Sequence, residues 1–167
     1  MPNSGRPPAR EGISPRKTVL RGYVPEKGEY FAARAGDSPY PPGALLPAGA
    51  ELPRPVPAWY HPTVPAERPI PFDYSVIYAD RDLIVADKPH FLPTTTNGRL
   101  QRETLQTRLR VDFGDDDIVP LHRLDRLTAG LVLCSRNPAT RAAYQGIFGK
   151  GSAVKRYRGV VKRPLYV

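Results

Sequence analysis

Residues 121–134 read Leu-His-Arg-Leu-Asp-Arg-Leu-Thr-Ala-Gly-Leu-Val-Leu-Cys, and the two halves of this stretch ask for different things. The run from Gly130 to Cys134 is continuously apolar and too short for a helix, which predicts a buried strand. Just before it, His122, Arg123, Asp125 and Arg126 crowd ionisable groups together. A carboxylate between two guanidiniums has two uses, as an anionic nucleophile or as one half of a structural ion pair. On physical grounds alone the ion pair is the commoner.

Working upstream, residues 75–78 (Ser-Val-Ile-Tyr) and 83–86 (Leu-Ile-Val-Ala) read as short strands around a polar bend. Residues 103–110 place Leu105 and Leu109 at i,i+4 among basic side chains, the pattern of an amphipathic helix, and Gly114 with Asp115, Asp116 and Asp117 closes it. Residues 118–124 are expected as a strand or extended loop. Downstream, residues 138–148 predict a helix with Tyr144, Ile147 and Phe148 on one face and Gly149 as its stop, and residues 154–161 alternate well enough for a further strand. Helices and strands interleave without a βαβ rhythm. The expected fold class is therefore α+β, a mixed, mostly antiparallel sheet with flanking helices.

Toward the N-terminus proline takes over: 16 of the 21 prolines precede Asp73, each fixing φ and removing a backbone donor. Residues 1–38 are expected to be mostly disordered. Residues 39–72 read as an extended arm whose Leu45, Leu46, Trp59, Tyr60 and Phe72 either dock as a strap or stay solvated. The domain reading is thus a Pro-rich N-terminal extension, 1–72, and a folded portion, 73–167.

Charge narrows the function classes. With 25 Lys+Arg against 16 Asp+Glu the 167-residue chain carries a net +9, which points to an acidic partner. Nucleic acid ranks ahead of a membrane, because no basic amphipathic helix stands out and no apolar run approaches the roughly 20 residues a spanning helix needs. Behind Met1 there is no apolar signal region, and the single Cys134 fits a reducing compartment such as the cytoplasm. Other sites fail on spacing. His61, His90 and His122 are scattered, so with one cysteine there is no zinc set. Asp115 to Asp117 lack the glycine and distal glutamate of a calcium loop and read as a solvated acidic turn. Phe148-Gly-Lys-Gly-Ser152 does not satisfy the phosphate-loop spacing. Cys134, inside an apolar run, reads as a packing residue.

The segment from His122 to Leu133 resembles the signature of the RluA-type RNA pseudouridine synthases, His-Arg-Leu-Asp-x-x-Thr-Ser-Gly-Leu-Leu-Leu, with Ala129 in place of the usual serine. Residues 76–89 are similar to the family's first motif, a strand pair ending in Lys88-Pro89 ahead of the active-site loop, and Lys155-Arg-Tyr157 resembles its Lys-x-Tyr motif. The arm, with Tyr40-Pro-Pro-Gly43, Trp59-Tyr60 and Val64-Pro65, resembles the extension of an actinobacterial-type branch.

The resemblance implies a pseudouridine synthase-like fold and isomerisation of uridine in ribosomal or transfer RNA, with no cofactor and no metal. Asp125 matches the catalytic aspartate, either a nucleophile at C1′ or a base at C2′. Arg123 matches the arginine used around a flipped-out base, and Tyr157 the tyrosine that stacks on the uracil. The bland readings are a phosphate contact for Arg123 and a packing ring for Tyr157. Arg126, Lys155, Arg156, Arg158, Lys162 and Arg163 then contact phosphates or form an ordinary solvated basic edge, and His122 shapes the loop. Family members continue past Lys-x-Tyr to a Gly-Arg-x-His-Gln-Leu-Arg motif that this sequence lacks, and no S4-like domain is recognisable. A truncated synthase with poor or no activity alone is expected, monomeric if complete, with a non-catalytic RNA-binding protein as the alternative.

Overall fold

The computed structural model describes residues 5–35, 38–160 and 162. Along the chain run β1 (Arg16–Tyr23), β2 (Tyr30–Ala32), β3 (Glu51–Tyr60), β4 (Ser75–Ala79), β5 (Leu83–Lys88), α1 (Leu105–Phe113), β6 (Val119–Pro120), β7 (Gly130–Ser135) and α2 (Pro138–Gly149). They form two sheets, in the orders β1-β3-β2 and β4-β5-β7-β6, with every pairing antiparallel. This is the α+β class expected, with a second sheet added.

That added sheet corrects the expectation of disorder for the described part of residues 1–38, and it takes residues 51–60 of the expected arm as β3. β1 and β2 flank β3 and close a core of Leu20, Val24, Ala32, Leu46, Leu52, Val56 and Ala58. The prolines do not prevent it because Pro53, Pro55 and Pro57 sit at alternate positions of β3. In a strand, alternate residues turn their N–H toward the same edge, so all three missing donors fall on one side. The Pro57 carbonyl accepts from Ala33 N–H at 2.9 Å, which identifies that side as the β2 edge. β2 pairs only with residues 58–60, so no ladder asks those prolines for a donor.

Residues 61–72 behave as a docked strap. The Glu67 carboxylate accepts backbone N–H groups from Gln101, Arg102 and Glu103 at 2.7–3.1 Å. Arg108 holds the Ile70 and Phe72 carbonyls at 2.8 and 2.7 Å and the Glu103 carboxylate at 2.5 Å.

The second sheet packs one face on α1. Ile84, Ala86, Val132 and Cys134 meet Leu105 and Leu109, with Leu92, Ile118 and Leu124 closing the rim. Each fully buried leucine contributes about 1.5–3 kcal/mol. α1 starts two residues later than the sequence suggests, because Thr104 caps it and accepts from Thr107 N–H. Pro93 and Thr94 carbonyls take the N–H groups of Leu105 and Gln106, so the orphan donors of the first turn are met by the loop that precedes the helix. Gly114, at φ 57°, ends it.

Three further expectations change. The strand over 118–124 shrinks to Val119–Pro120. The strand from Gly130 is buried on one face only, since Leu131 is 54% exposed. Residues 154–160 join no ladder; Val161 and Arg163 lie outside the described residues. α2 runs through Gly149 and stops with Gly151 at φ 68°. It buries no residue fully, and β4 is exposed along its length, leaving the face of the sheet opposite α1 open.

Candidate active site

Asp125 lies on the connection between β6 and β7, exposed, at the start of a turn closed by Thr128 N–H on the Asp125 carbonyl at 3.0 Å. The loop around it is fixed by hydrogen bonds from side chains to backbone groups. The Thr94 hydroxyl donates to the Leu124 carbonyl at 2.7 Å and accepts Leu124 N–H at 3.1 Å, and Thr94 is 2% exposed. His90 Nδ1 meets the Leu127 carbonyl at 2.7 Å, and Arg126 Nε donates to the Phe91 carbonyl at 3.1 Å. On the β7 side, Leu133 N–H donates to His122 Nε2 at 3.1 Å. The residues between Lys88 and Thr94 thus clamp the residues on both sides of Asp125.

Lys88 is the charge beneath this loop. It is fully buried, its ammonium donating to the Leu92 and Pro89 carbonyls at 2.8 and 3.0 Å. Burial pulls its pKa below the usual lysine value, and the Asp125 charge opposes that fall. Strand register explains the placement: Ile84, Ala86 and Lys88 alternate onto the core face of β5, and Lys88 pairs with Gly130, the first residue of β7. Gly130 itself sits at φ 131°, a conformation that other residues rarely adopt.

Of the residues singled out in the sequence, Arg123 is exposed and makes no hydrogen bond or ion pair among the described residues. The pairing of Asp125 with Arg123 or Arg126 does not occur among those residues either, because Arg126 turns its Nε to Phe91 instead. Lys155, Arg156 and Tyr157 come together with His122, Leu131, Leu133 and Phe148 around a cleft of about 490 Å³ on the open face of the sheet. Lys155 lies 5.2 Å from the Phe148 ring centre, and that ring packs 5.0 Å from His122. Tyr157 is 66% exposed; Arg158 and Lys162 are exposed beyond it.

His122 accepts through Nε2, so its proton resides on Nδ1, which has no partner among the described residues. Burial, and then the Lys155 charge, hold its pKa below the usual histidine value. It is a neutral prop for the loop, as expected. Burial pushes the Cys134 thiol up to about 12, consistent with packing. No group of three or more His, Cys, Asp or Glu among the described residues is placed to hold a metal ion.

Lys88, Thr94 and Phe91 are the site residues that motif reading left without a role. Lys88 was legible as the third member of the alternation from Ile84. Thr94 had no sequence signal, because its partner is the backbone of Leu124, 30 residues away.

The sequence model described as RNA pseudouridylate synthase matches residues 82–166, half of the chain and all of the clamped loop. RNA pseudouridine synthase 5 of Arabidopsis thaliana is 30% identical over 123 residues, 68% of this chain and 32% of that protein. An uncharacterized RNA pseudouridine synthase of Synechocystis sp. is 33% identical over 103 residues, 62% of this chain and 35% of its own. The tRNA pseudouridine(31) synthase of Saccharomyces cerevisiae is 27% identical over 89 residues, 53% and 22% of the two chains. The chain therefore spans about a third or less of the length of these curated relatives.

Proposed function

The chain belongs to the RNA pseudouridylate synthase family, and from that premise we propose that it isomerises uridine in ribosomal or transfer RNA to pseudouridine, with Asp125 as the reacting carboxylate. The N1–C1′ bond of the target uridine breaks, the uracil turns, and C5 joins C1′; N1 gains a proton and C5 loses one. Asp125 takes part either as the nucleophile at C1′ or as the base at C2′.

The observation that carries this reading is a loop whose backbone is clamped by Thr94, His90 and His122 while its Asp125 and Arg123 side chains remain exposed. Catalysis by a positioned carboxylate needs this combination of a fixed backbone and an available side chain. Arg123 fills the space a uridine leaves when it swings out of its stack, a step that costs a few kcal/mol. Tyr157 offers a ring to the extruded uracil, and Lys155 and Arg156 neutralise phosphates beside it. The buried thiol of Cys134 suits a reducing cytoplasm.

Tritium release from C5-labelled uridine in ribosomal and transfer RNA, measured for the chain and for Asp125→Asn, tests the reading. Whatever release the native chain gives, low if the chain alone is impaired, is expected to vanish in the variant while RNA affinity stays within about twofold; with C5–H exchange tied to the carboxylate, the loss exceeds 10²-fold, the scale of a lost general acid–base or nucleophilic group. The exposed Tyr157 and the open face of the sheet favour a second reading, RNA binding without chemistry. Salt-sensitive binding with no release, indifferent to Asp125→Asn, would establish that one instead.

A further inference from the structure

Next to the clamped loop, a groove of about 720 Å³ runs between the strap and residues 91–100. Its lining combines three guanidiniums, Arg68, Arg99 and Arg126, with the rings of Phe72 and Phe91. Its volume falls in the range of roughly 300–1,000 Å³ over which small-ligand sites form. We propose that this groove binds an unpaired nucleotide flanking the target uridine, with its base on the Phe72–Phe91 pair and its phosphates on the arginines. The inference rests on the RNA reading above and adds a site contributed by the Pro-rich strap.

Three observations carry it. The two rings stack at 5.6 Å between centres, 28° apart, yet Phe72 remains 45% and Phe91 43% exposed. An aromatic pair held at the surface offers an apolar, planar face to any base. Phe91 is placed there at a conformational cost: its φ of 67° is rare for a bulky residue, and its carbonyl is the acceptor for Arg126, which ties the platform to the residue after Asp125. Phe72 is equally fixed, since Arg108 grips its carbonyl.

The cations are also available. Arg68 and Arg99 make no side-chain hydrogen bond or ion pair among the described residues, and Arg126 uses only Nε. Arg99 is presented by a tight turn in which the Asn97 side chain accepts the Arg99 and Leu100 N–H groups at 3.1 and 2.9 Å. Unpaired guanidiniums around exposed stacked rings match the chemistry of a single-stranded nucleic acid, where backbone charge and base stacking act together. A duplex, with its bases already stacked on each other, gains nothing from the rings.

The test is fluorescence anisotropy with a short fluorescein-labelled single-stranded RNA and the full chain, across a salt series. Phe72→Ala is expected to weaken binding about tenfold. The double variant Arg68→Gln/Arg99→Gln, whose side chains touch no structural partner, is expected to reduce the salt slope by about 1.4, at roughly 0.7 per phosphate contact on a single strand. Arg21→Gln, on β1, should change neither. RNA binding by the native chain with both groove variants indistinguishable from it would overturn the groove while leaving the synthase reading to its Asp125→Asn assay. Equal sensitivity of a duplex of the same sequence to Phe72→Ala would overturn the stacking role. An absence of binding at low salt would overturn the groove and the RNA reading together.

Discussion

Replacing Thr94 with valine tests whether the loop carrying Asp125 is held by one buried hydroxyl. Valine has nearly the volume of threonine, so the change removes hydrogen bonds while leaving the packing around a 2% exposed side chain in place. Two backbone groups lose their partner at once, the Leu124 carbonyl at 2.7 Å and the Leu124 N–H at 3.1 Å. Leu124 is 6% exposed, so water does not readily replace either bond. An unsatisfied buried backbone group costs about 1–3 kcal/mol, and two together cost about 2–4 kcal/mol once some relaxation toward the exposed Asp125 is allowed. With a urea slope of about 1–3 kcal/mol per molar, the unfolding midpoint falls by about 1 M or more. Thr94→Ser, which keeps the hydroxyl, should restore most of the loss. If Thr94→Val unfolds within about 0.5 kcal/mol of the native chain, the two-way bond does not hold the loop and the clamp argument fails. Where the variant stays folded, pseudouridine formation should fall by more than RNA affinity, because the aspartate is displaced while the cations are not.

Three other changes probe the same scaffold. Gly130→Ala meets no steric block, since its Cβ would find only Leu124 at 3.8 Å, but φ 131° costs about 1–3 kcal/mol for a residue with a side chain; calorimetry should show a lower Tm with unchanged RNA affinity. His122 has a folded pKa below its unfolded value, so the unfolded chain binds the extra proton: its stabilisation is present above about pH 6.5 and fades as pH falls through that value toward the folded pKa. His122→Gln, able to accept from Leu133 N–H, should flatten the dependence of the urea midpoint between neutral pH and pH 5. Arg108→Met removes the grip on Ile70, Phe72 and Glu103, and breaking a pair in which each side chain is 17% exposed costs about 2 kcal/mol or more; hydrogen exchange at the Ile70 amide, which donates to Glu103, should accelerate.

The second sheet was legible because its signals are local. β5, β7 and both helices announce themselves by apolar runs, by i,i+4 leucines and by caps, and the structure moves their ends by a few residues at most. The first sheet was not legible, because proline count carries no information about which edge of a strand the missing donors face. The alternation of Pro53, Pro55 and Pro57 was visible in the sequence, but its meaning depends on β2 stopping at Ala32 and leaving that edge unpaired. The strap was read as either docked or solvated for a similar reason: its anchors, Glu67 on residues 101–103 and Arg108 on Ile70 and Phe72, join segments more than 30 residues apart. In the site, the sequence placed Asp125 and Arg123 on one loop but left open whether the carboxylate pairs with its neighbouring arginines, the commoner arrangement on physical grounds.

The pairing does not occur among the described residues, and the groups that bond the loop's backbone are distinct from the Asp125 and Arg123 side chains it leaves exposed. Thr94, His90 and His122 fix the chain around Asp125, each by bonding a backbone N–H or carbonyl. Had Arg123 closed on Asp125, the loop would be held by an exposed ion pair worth little, and binding an RNA phosphate would compete with holding the site together. With the clamp made of bonds to backbone groups, the two from Thr94 buried, salt and polyanions act on the exposed arginines without loosening the carboxylate. Lys88, beneath the loop, is fully buried with its ammonium on the Leu92 and Pro89 carbonyls, and bonds out of reach of solvent persist at ionic strengths that screen the surface. It follows that raising salt should weaken RNA affinity steeply while leaving the folding midpoint of the loop nearly unchanged. A parallel loss of both would mean that the surface cations, rather than Thr94 and its neighbours, hold the loop.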